Sequence, residues 1–202
     1  MVMLRHHGLG HAVRHLVIAH ARRRNRQSTN GLRAFAAFGI SLLLACGASR
    51  RVYANDLVIG DAAPPITLTT LDGKRIDTRS LIGKVVIVTF WSTWCEPCRE
   101  ELPLLSRYAK KHAADGVIVL GFSLDPPERI DKVRAVARTL DFPVGLLGDP
   151  HVPGYGRIWH LPVSFTIDRR GLLVDNGWND ENPVWTQPRL ARIVTPLLHA
   201  SE

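Results

Sequence analysis

The sequence predicts an α/β domain with a central mixed β-sheet flanked by helices and an N-terminal β-hairpin extension. Two apolar, β-branched runs, Val85-Val86-Ile87-Val88-Thr89-Phe90 and Val117-Ile118-Val119-Leu120-Gly121-Phe122-Ser123-Leu124, show little polar alternation, the pattern of strands covered on both faces. Between them Leu102, Leu104, Leu105, Tyr108 and Ala109 recur at spacings of three and four, which predicts an amphipathic helix over residues 96–112. Strand, helix and strand in that order form a βαβ unit with parallel strands and a right-handed crossover. The 202 residues suit one such domain plus an extension.

The elements follow in order. Residues 58–66 read as extended and Pro-rich, and the runs 66–71 and 74–76 flank Asp72-Gly73, which predicts a hairpin with that dipeptide as its turn. Residues 80–84 lead into the first long strand. Pro103 predicts a kink in the 96–112 helix, because it donates no backbone N–H and crowds the preceding turn. A second helix is expected from Glu128 to about Leu140. A second hairpin pairs residues 163–168 with 172–175 across Arg169-Arg170-Gly171, and a closing helix spans 188–198, with Pro188 in its first turn. No internal repeat, low-complexity tract or second-domain linker interrupts the series.

Charge divides the chain. Nine of the 26 Lys and Arg lie in residues 1–54, which hold no Asp or Glu, so the remaining 17 face all 18 carboxylates and residues 55–202 carry a net charge of about −1. That balance gives no electrostatic ground for nucleic-acid binding, which depends on clustered Lys and Arg. Residues 1–54 read as a basic leader containing a signal peptide or membrane anchor. The apolar stretch 34–45 is shorter than the roughly 20 residues of a membrane-spanning helix and has the length of a signal h-region. Val52-Tyr53-Ala54 suits cleavage, whereas Leu43-Leu44-Ala45-Cys46 resembles a lipoprotein box that would lipidate Cys46. Cleavage, retention as a membrane tether and lipidation stay open. All three place residues 55–202 in the bacterial periplasm or on the extracytoplasmic face of the membrane.

With Cys46 in the leader, the exported part holds two cysteines, in Trp94-Cys95-Glu96-Pro97-Cys98. A disulfide closing so short a loop restrains the unfolded chain little, so stability is a poor reason for the pair. A zinc half-site is disfavoured, since no second Cys-x-x-Cys or His pair at ligand spacing completes four ligands. Cys95 falls at the start of the helix, where free backbone N–H groups and the helix dipole favour a thiolate, and is expected to be the nucleophile. Cys98, one turn further in, is expected to be more buried and to resolve the mixed disulfide. Pro97 removes one N–H that would serve a thiolate and Glu96 adds negative charge beside it, which argues against a strongly oxidising pair.

The segment Phe90-Trp91-Ser92-Thr93-Trp94-Cys95-Glu96-Pro97-Cys98-Arg99-Glu100-Glu101-Leu102-Pro103, with Leu161-Pro162-Val163-Ser164-Phe165-Thr166-Ile167-Asp168 some sixty residues later, resembles the TlpA/ResA-like branch of the thioredoxin superfamily. The resemblance spans about residues 57–199. It implies a thioredoxin-like fold and an exported or membrane-tethered protein disulfide oxidoreductase of the kind that includes proteins serving cytochrome c maturation. Its cofactor would be the Cys95–Cys98 redox disulfide, with no metal, and its partners protein thiols and disulfides of the cell envelope and an upstream membrane dithiol donor. By resemblance, Glu101 matches a carboxylate placed near the thiols, where it relays the proton of Cys98. Thr89 stands where cytoplasmic thioredoxins bury an Asp, which leaves that task to Glu101. Pro162 matches a proline held in cis opposite the cysteines, and Leu161 before it becomes a specificity position whose backbone pairs with an extended substrate. Trp94 is expected to cover Cys95 in part and Trp91 to lie in the core. Trp159 and His160 are open between a substrate groove and a structural role, and Trp178 and Trp185 are assigned to packing.

Three other functions compete. A peroxiredoxin needs Pro-x-x-x-Thr/Ser-x-x-Cys, and its Pro position holds Val88. A thioredoxin-like copper-binding or metallochaperone module would join its thiols to a distant His, but His112, His151, His160 and His199 have no diagnostic spacing. A redox-dead interaction module is disfavoured by the presence of both cysteines.

Overall fold

The computed structural model describes residues 57–199, so the expectations for residues 1–54, including Cys46, lie outside the described part. A hairpin pairs β1 (Thr67–Thr69) with β2 (Arg75–Asp77), Leu68 opposite Ile76. β3 (Val85–Trp91), α1 (Glu96–Lys111) and β4 (Val117–Ser123) follow. Next come α2 (Ile130–Ala137), β5 (Val144–Leu146) and the two-residue strands β6 (His151–Val152) and β7 (Gly156–Arg157). β8 (Val163–Ile167), β9 (Leu173–Asn176), α3 (Gln187–Ile193) and α4 (Thr195–His199) complete the series. The main sheet has the order β5-β4-β3-β8-β9, with β3, β4 and β5 parallel, β8 antiparallel to β3 and β9 antiparallel to β8.

Every residue of β3 is buried, and the pleat sends alternate side chains into two separate layers. Val85, Ile87 and Trp91 join Cys95, Cys98, Leu102 and Leu105 of the α1 region and Leu190 of α3. Val86, Val88 and Phe90 join Leu68 of β1 with Phe165 and Leu173 of β8 and β9. Burial of each large aliphatic side chain contributes about 1.5–3 kcal/mol, so the continuous apolar run fixes β3 as the middle strand. Both cysteines lie in the α1-side layer.

The expected elements are present with shifted ends. The first hairpin turns more widely than a two-residue loop. Thr70 N–H donates to the Lys74 carbonyl and Gly73 N–H to the Thr70 carbonyl, with Gly73 at φ +87°. The second helix opens with a 3-10 turn at Pro127–Arg129 and stops at Ala137, after which Thr139 and Leu140 N–H groups reach back three residues to the Val136 and Ala137 carbonyls. The closing helix is two helices that meet at Val194, because Pro196 has no N–H to donate to the carbonyl four residues back in α3. α1 runs as one helix from Glu96 to Lys111 with Pro103 inside it.

Sequence reasoning missed β5, which adds a third parallel strand and seats the hairpin: Leu71 N–H donates to the Val144 carbonyl at 3.0 Å. Gly145 is required at that crossing, since a Cβ there would lie 2.0 Å from the Thr69 carbonyl oxygen. Gly145→Ala is therefore expected to lower stability by about 2 kcal/mol or more, a loss of roughly 5 °C in Tm, measured by calorimetry. An unchanged Tm would show that the hairpin does not press on β5 as described.

Candidate functional site

From Trp91 the chain crosses to α1 through Ser92-Thr93-Trp94, and the buried carboxylate of Asp125, just past β4, holds that crossing in place. Its Oδ2 accepts the Thr93 N–H at 2.7 Å and the Ser123 hydroxyl at 2.8 Å, and its Oδ1 accepts the Thr93 hydroxyl at 2.6 Å. Leu124 N–H donates to the Trp91 carbonyl at 2.8 Å. Cys95 then takes the N-cap of α1 in extended backbone, and its Sγ accepts the Cys98 N–H at 3.3 Å. The cap partners one of the N–H groups that a helix start leaves open. Cys95 and Cys98 form a disulfide, Cys95 being 5% exposed and Cys98 fully buried. Glu96 and Pro97 lie exposed in the first turn, and Trp94 is 60% exposed beside Cys95.

Glu101, one turn beyond Cys98, is 1% exposed. Its Oε2 accepts the Trp185 N–H at 2.8 Å, while Oε1 has no hydrogen-bond partner among the described residues. Burial pushes this carboxyl up to about 7, against the smaller opposing pulls of the Trp185 N–H, the Arg189 guanidinium and the nearby Thr89 hydroxyl. Thr89 is itself buried and accepts the Ser164 hydroxyl of β8 at 2.9 Å.

Pro162 immediately precedes β8, whose Val163 is opposite Phe90, so it sits at the end of the sheet where β3 gives way to the cysteine segment. The Leu161–Pro162 peptide is cis, and the half-buried Leu161 packs against both apolar layers. Trp91 and Trp185 are buried in the layer that holds the cysteines. Trp159 is 72% exposed and stacks on Trp178 at 6.1 Å, with the His160 ring edge-on to both, and Trp178 Nε1 donates to the Tyr155 carbonyl at 2.8 Å. Val88, where a peroxiredoxin would need proline, is buried in the middle of β3. Among the described residues, no three His, Cys, Asp or Glu side chains are grouped to hold a metal ion.

The structure thus brings Cys95, Cys98 and Glu101 together on the first two turns of α1, with Leu161 and Pro162 at the same end of the sheet. It adds Asp125 and Arg189, which sequence reasoning passed over, and gives Trp185, expected to serve packing, a further part through its backbone N–H on Glu101. The Asp at the end of the strand run 117–124 was a faint signal for the first; the partners of the other two come from distant segments and left none.

The sequence profile of the AhpC/TSA family matches residues 59–175. The thiol-disulfide oxidoreductase ResA of Bacillus cereus is 34% identical over 143 residues, covering 67% of this chain and 83% of that protein. ResA of Bacillus subtilis is 30% identical over 148 residues, covering 70% and 83%. The crystal structure of a thiol:disulfide interchange protein of the thioredoxin family from Chlorobium tepidum is similar with a TM-score of 0.56 at 28% identity, covering 71% of this chain and 99% of that one. With a disulfide capping the helix that follows the central strand, this protein belongs to the AhpC/TSA family as a ResA/TlpA-like thiol-disulfide oxidoreductase of thioredoxin fold.

Proposed function

We propose that the protein is an exported dithiol-disulfide exchange enzyme of the bacterial envelope that works as a reductant. In the reduced form the Cys95 thiolate attacks one sulfur of a substrate disulfide. A mixed disulfide forms, and the other substrate sulfur leaves and takes up a proton. Cys98 then gives up its proton to the Glu101 carboxylate and attacks Cys95 Sγ. The second substrate sulfur leaves as a thiolate and takes up a proton, and the enzyme holds the Cys95–Cys98 disulfide. The substrate has gained two electrons and two protons, which an upstream membrane dithiol donor must restore to the enzyme.

The observation that carries this assignment is the position of Cys95 at the N-cap of α1, with Sγ accepting the Cys98 N–H of the first turn and the Cys98 side chain sealed behind it. That position favours the Cys95 thiolate for attack. A carboxyl titrating near neutrality, one turn from Cys98 in a dry layer, suits proton transfer at physiological pH. Leu161, before the cis Pro162, offers backbone to an extended client strand, with Trp94 exposed beside Cys95. Export follows from the leader, and the client class proposed is envelope proteins, including apocytochrome c.

The reductant assignment is tested by the potential of the couple. Pro97 withholds an N–H from the thiolate and Glu96 adds charge, so a value near that of thioredoxin, about −270 mV, is expected. A value near that of the strong oxidants, about −120 mV, would reverse the direction.

Glu101 gives a second prediction with two readouts. Its folded carboxyl binds a proton up to about pH 7, whereas the unfolded one releases it near the ordinary value of 4.5, so the native state holds more protons between these limits and stability falls as pH rises through them. Glu101→Gln keeps an acceptor for Trp185 and removes this penalty, so the oxidised variant should be more stable than the parent at pH about 8, by at most about 3 kcal/mol. It should also slow exchange and abolish the inflection of the rate near neutrality, read by insulin reduction across pH. A variant with parental rates at every pH would remove Glu101 from the mechanism.

A further inference from the structure

Arg189 on α3 is 3% exposed, and a guanidinium so buried must be paired. Its Nη2 meets Asp175 of β9 at 2.9 Å, and its Nη1 meets Asp180 at 3.0 Å and the Asn182 carbonyl at 3.2 Å. Its Cζ lies 4.6 Å from the centroid of the Trp185 ring. An apolar side chain of similar volume would fill this place without desolvating three charges, so packing alone does not account for the arrangement.

What the arrangement does is gather one segment. Asp180, Asn182 and Trp185 all touch the same guanidinium, and this is the stretch that delivers the Trp185 N–H to Glu101 Oε2. We infer that Arg189 is a positioning residue for thiol exchange: it fixes the backbone donor that holds Glu101 in the cysteine layer and sets a positive charge behind that carboxyl. The inference rests on the proton-handling role given to Glu101 above.

The groups that face Glu101 can be named element by element. Cys98 is one turn back on α1, and Thr89 of β3 has Ser164 of β8 behind it. The Trp185 N–H comes from the loop, and Arg189 comes from α3 with Asp175 and Asp180 behind it. Arg192 of α3 acts on Asp175. Of these, Arg189 supplies the positive charge that opposes the effect of burial on Glu101. Losing that charge and freeing the Trp185 N–H act in the same direction: Glu101 keeps its proton to higher pH.

Lysine separates the two contributions, because it keeps the charge and loses the fork that reaches two carboxylates and a carbonyl at once. The test is the rate of reaction of the full-length reduced protein with oxidised glutathione between about pH 5 and 9, with circular dichroism to check folding. The paired variant Arg189→Gln/Asp175→Asn, which leaves no unmatched charge at the Asp175 contact, is expected to move the Glu101-dependent inflection up by roughly 0.5–1 pH unit, and Arg189→Lys by less. An unmoved inflection in the folded paired variant would overturn the inference. If that variant does not fold, Arg189→Lys carries the test: an upward shift supports the clamp and a parental profile overturns it. Glu101→Gln measured alongside keeps the two readings apart, since an inflection that survives in Glu101→Gln defeats the Glu101 role itself, whatever the Arg189 variants do.

Discussion

The burial of β3 on both faces is the constraint from which the site follows. A strand with no solvent-facing side cannot carry polar chemistry along its length, so the chemistry appears where it ends. Past Trp91 the chain reverses into α1 within four residues, and the opening turn of that helix presents N–H groups without intrahelical partners. A cysteine at the cap meets that need in the disulfide, where its Sγ accepts the Cys98 N–H. The same short crossing must not drift, and Asp125 supplies the anchor with hydrogen bonds to both the backbone and the hydroxyl of Thr93.

Glu101 shows the opposite tendency. A buried carboxyl in an apolar layer, one oxygen of which has no hydrogen-bond partner among the described residues, costs on the order of 1–3 kcal/mol or more, and nothing in the packing of α1 requires it. Around it the fold has assembled a backbone donor from the 180–186 loop, a hydroxyl pair across β3 and β8, and a buried cation held by two acids. These groups are polar in a region the sequence otherwise fills with Leu, Val and Trp, and they converge on the buried carboxyl one turn from Cys98. The proton-handling role proposed for Glu101 accounts for this concentration of unfavourable burial, which packing does not.

Much of this was legible because it is local. The apolar runs of β3 and β4, the three-and-four spacing of α1 and the Cys-x-x-Cys are written in neighbouring residues, and the structure places each where the spacing put it. β5 escaped because three residues containing a glycine and following a proline give no strand pattern, and the reason for Gly145 lies in the approach of Thr69. The break between α3 and α4 was available in Pro196 and was overlooked. The companions of the site were not available. Asp125 acts on a residue 32 positions earlier, and Trp185 donates to one 84 positions earlier, distances over which spacing carries no information.

The division of labour between the two sulfurs is the central claim, and it is tested most directly by alkylating the reduced protein with iodoacetamide and following each thiol separately by peptide mass spectrometry as pH is raised. Cys95, at the cap with residual exposure, is expected to react first and faster across the neutral range, with Cys98 protected until Cys95 has been modified or the protein unfolds. Equal rates, or faster modification of Cys98, would contradict it.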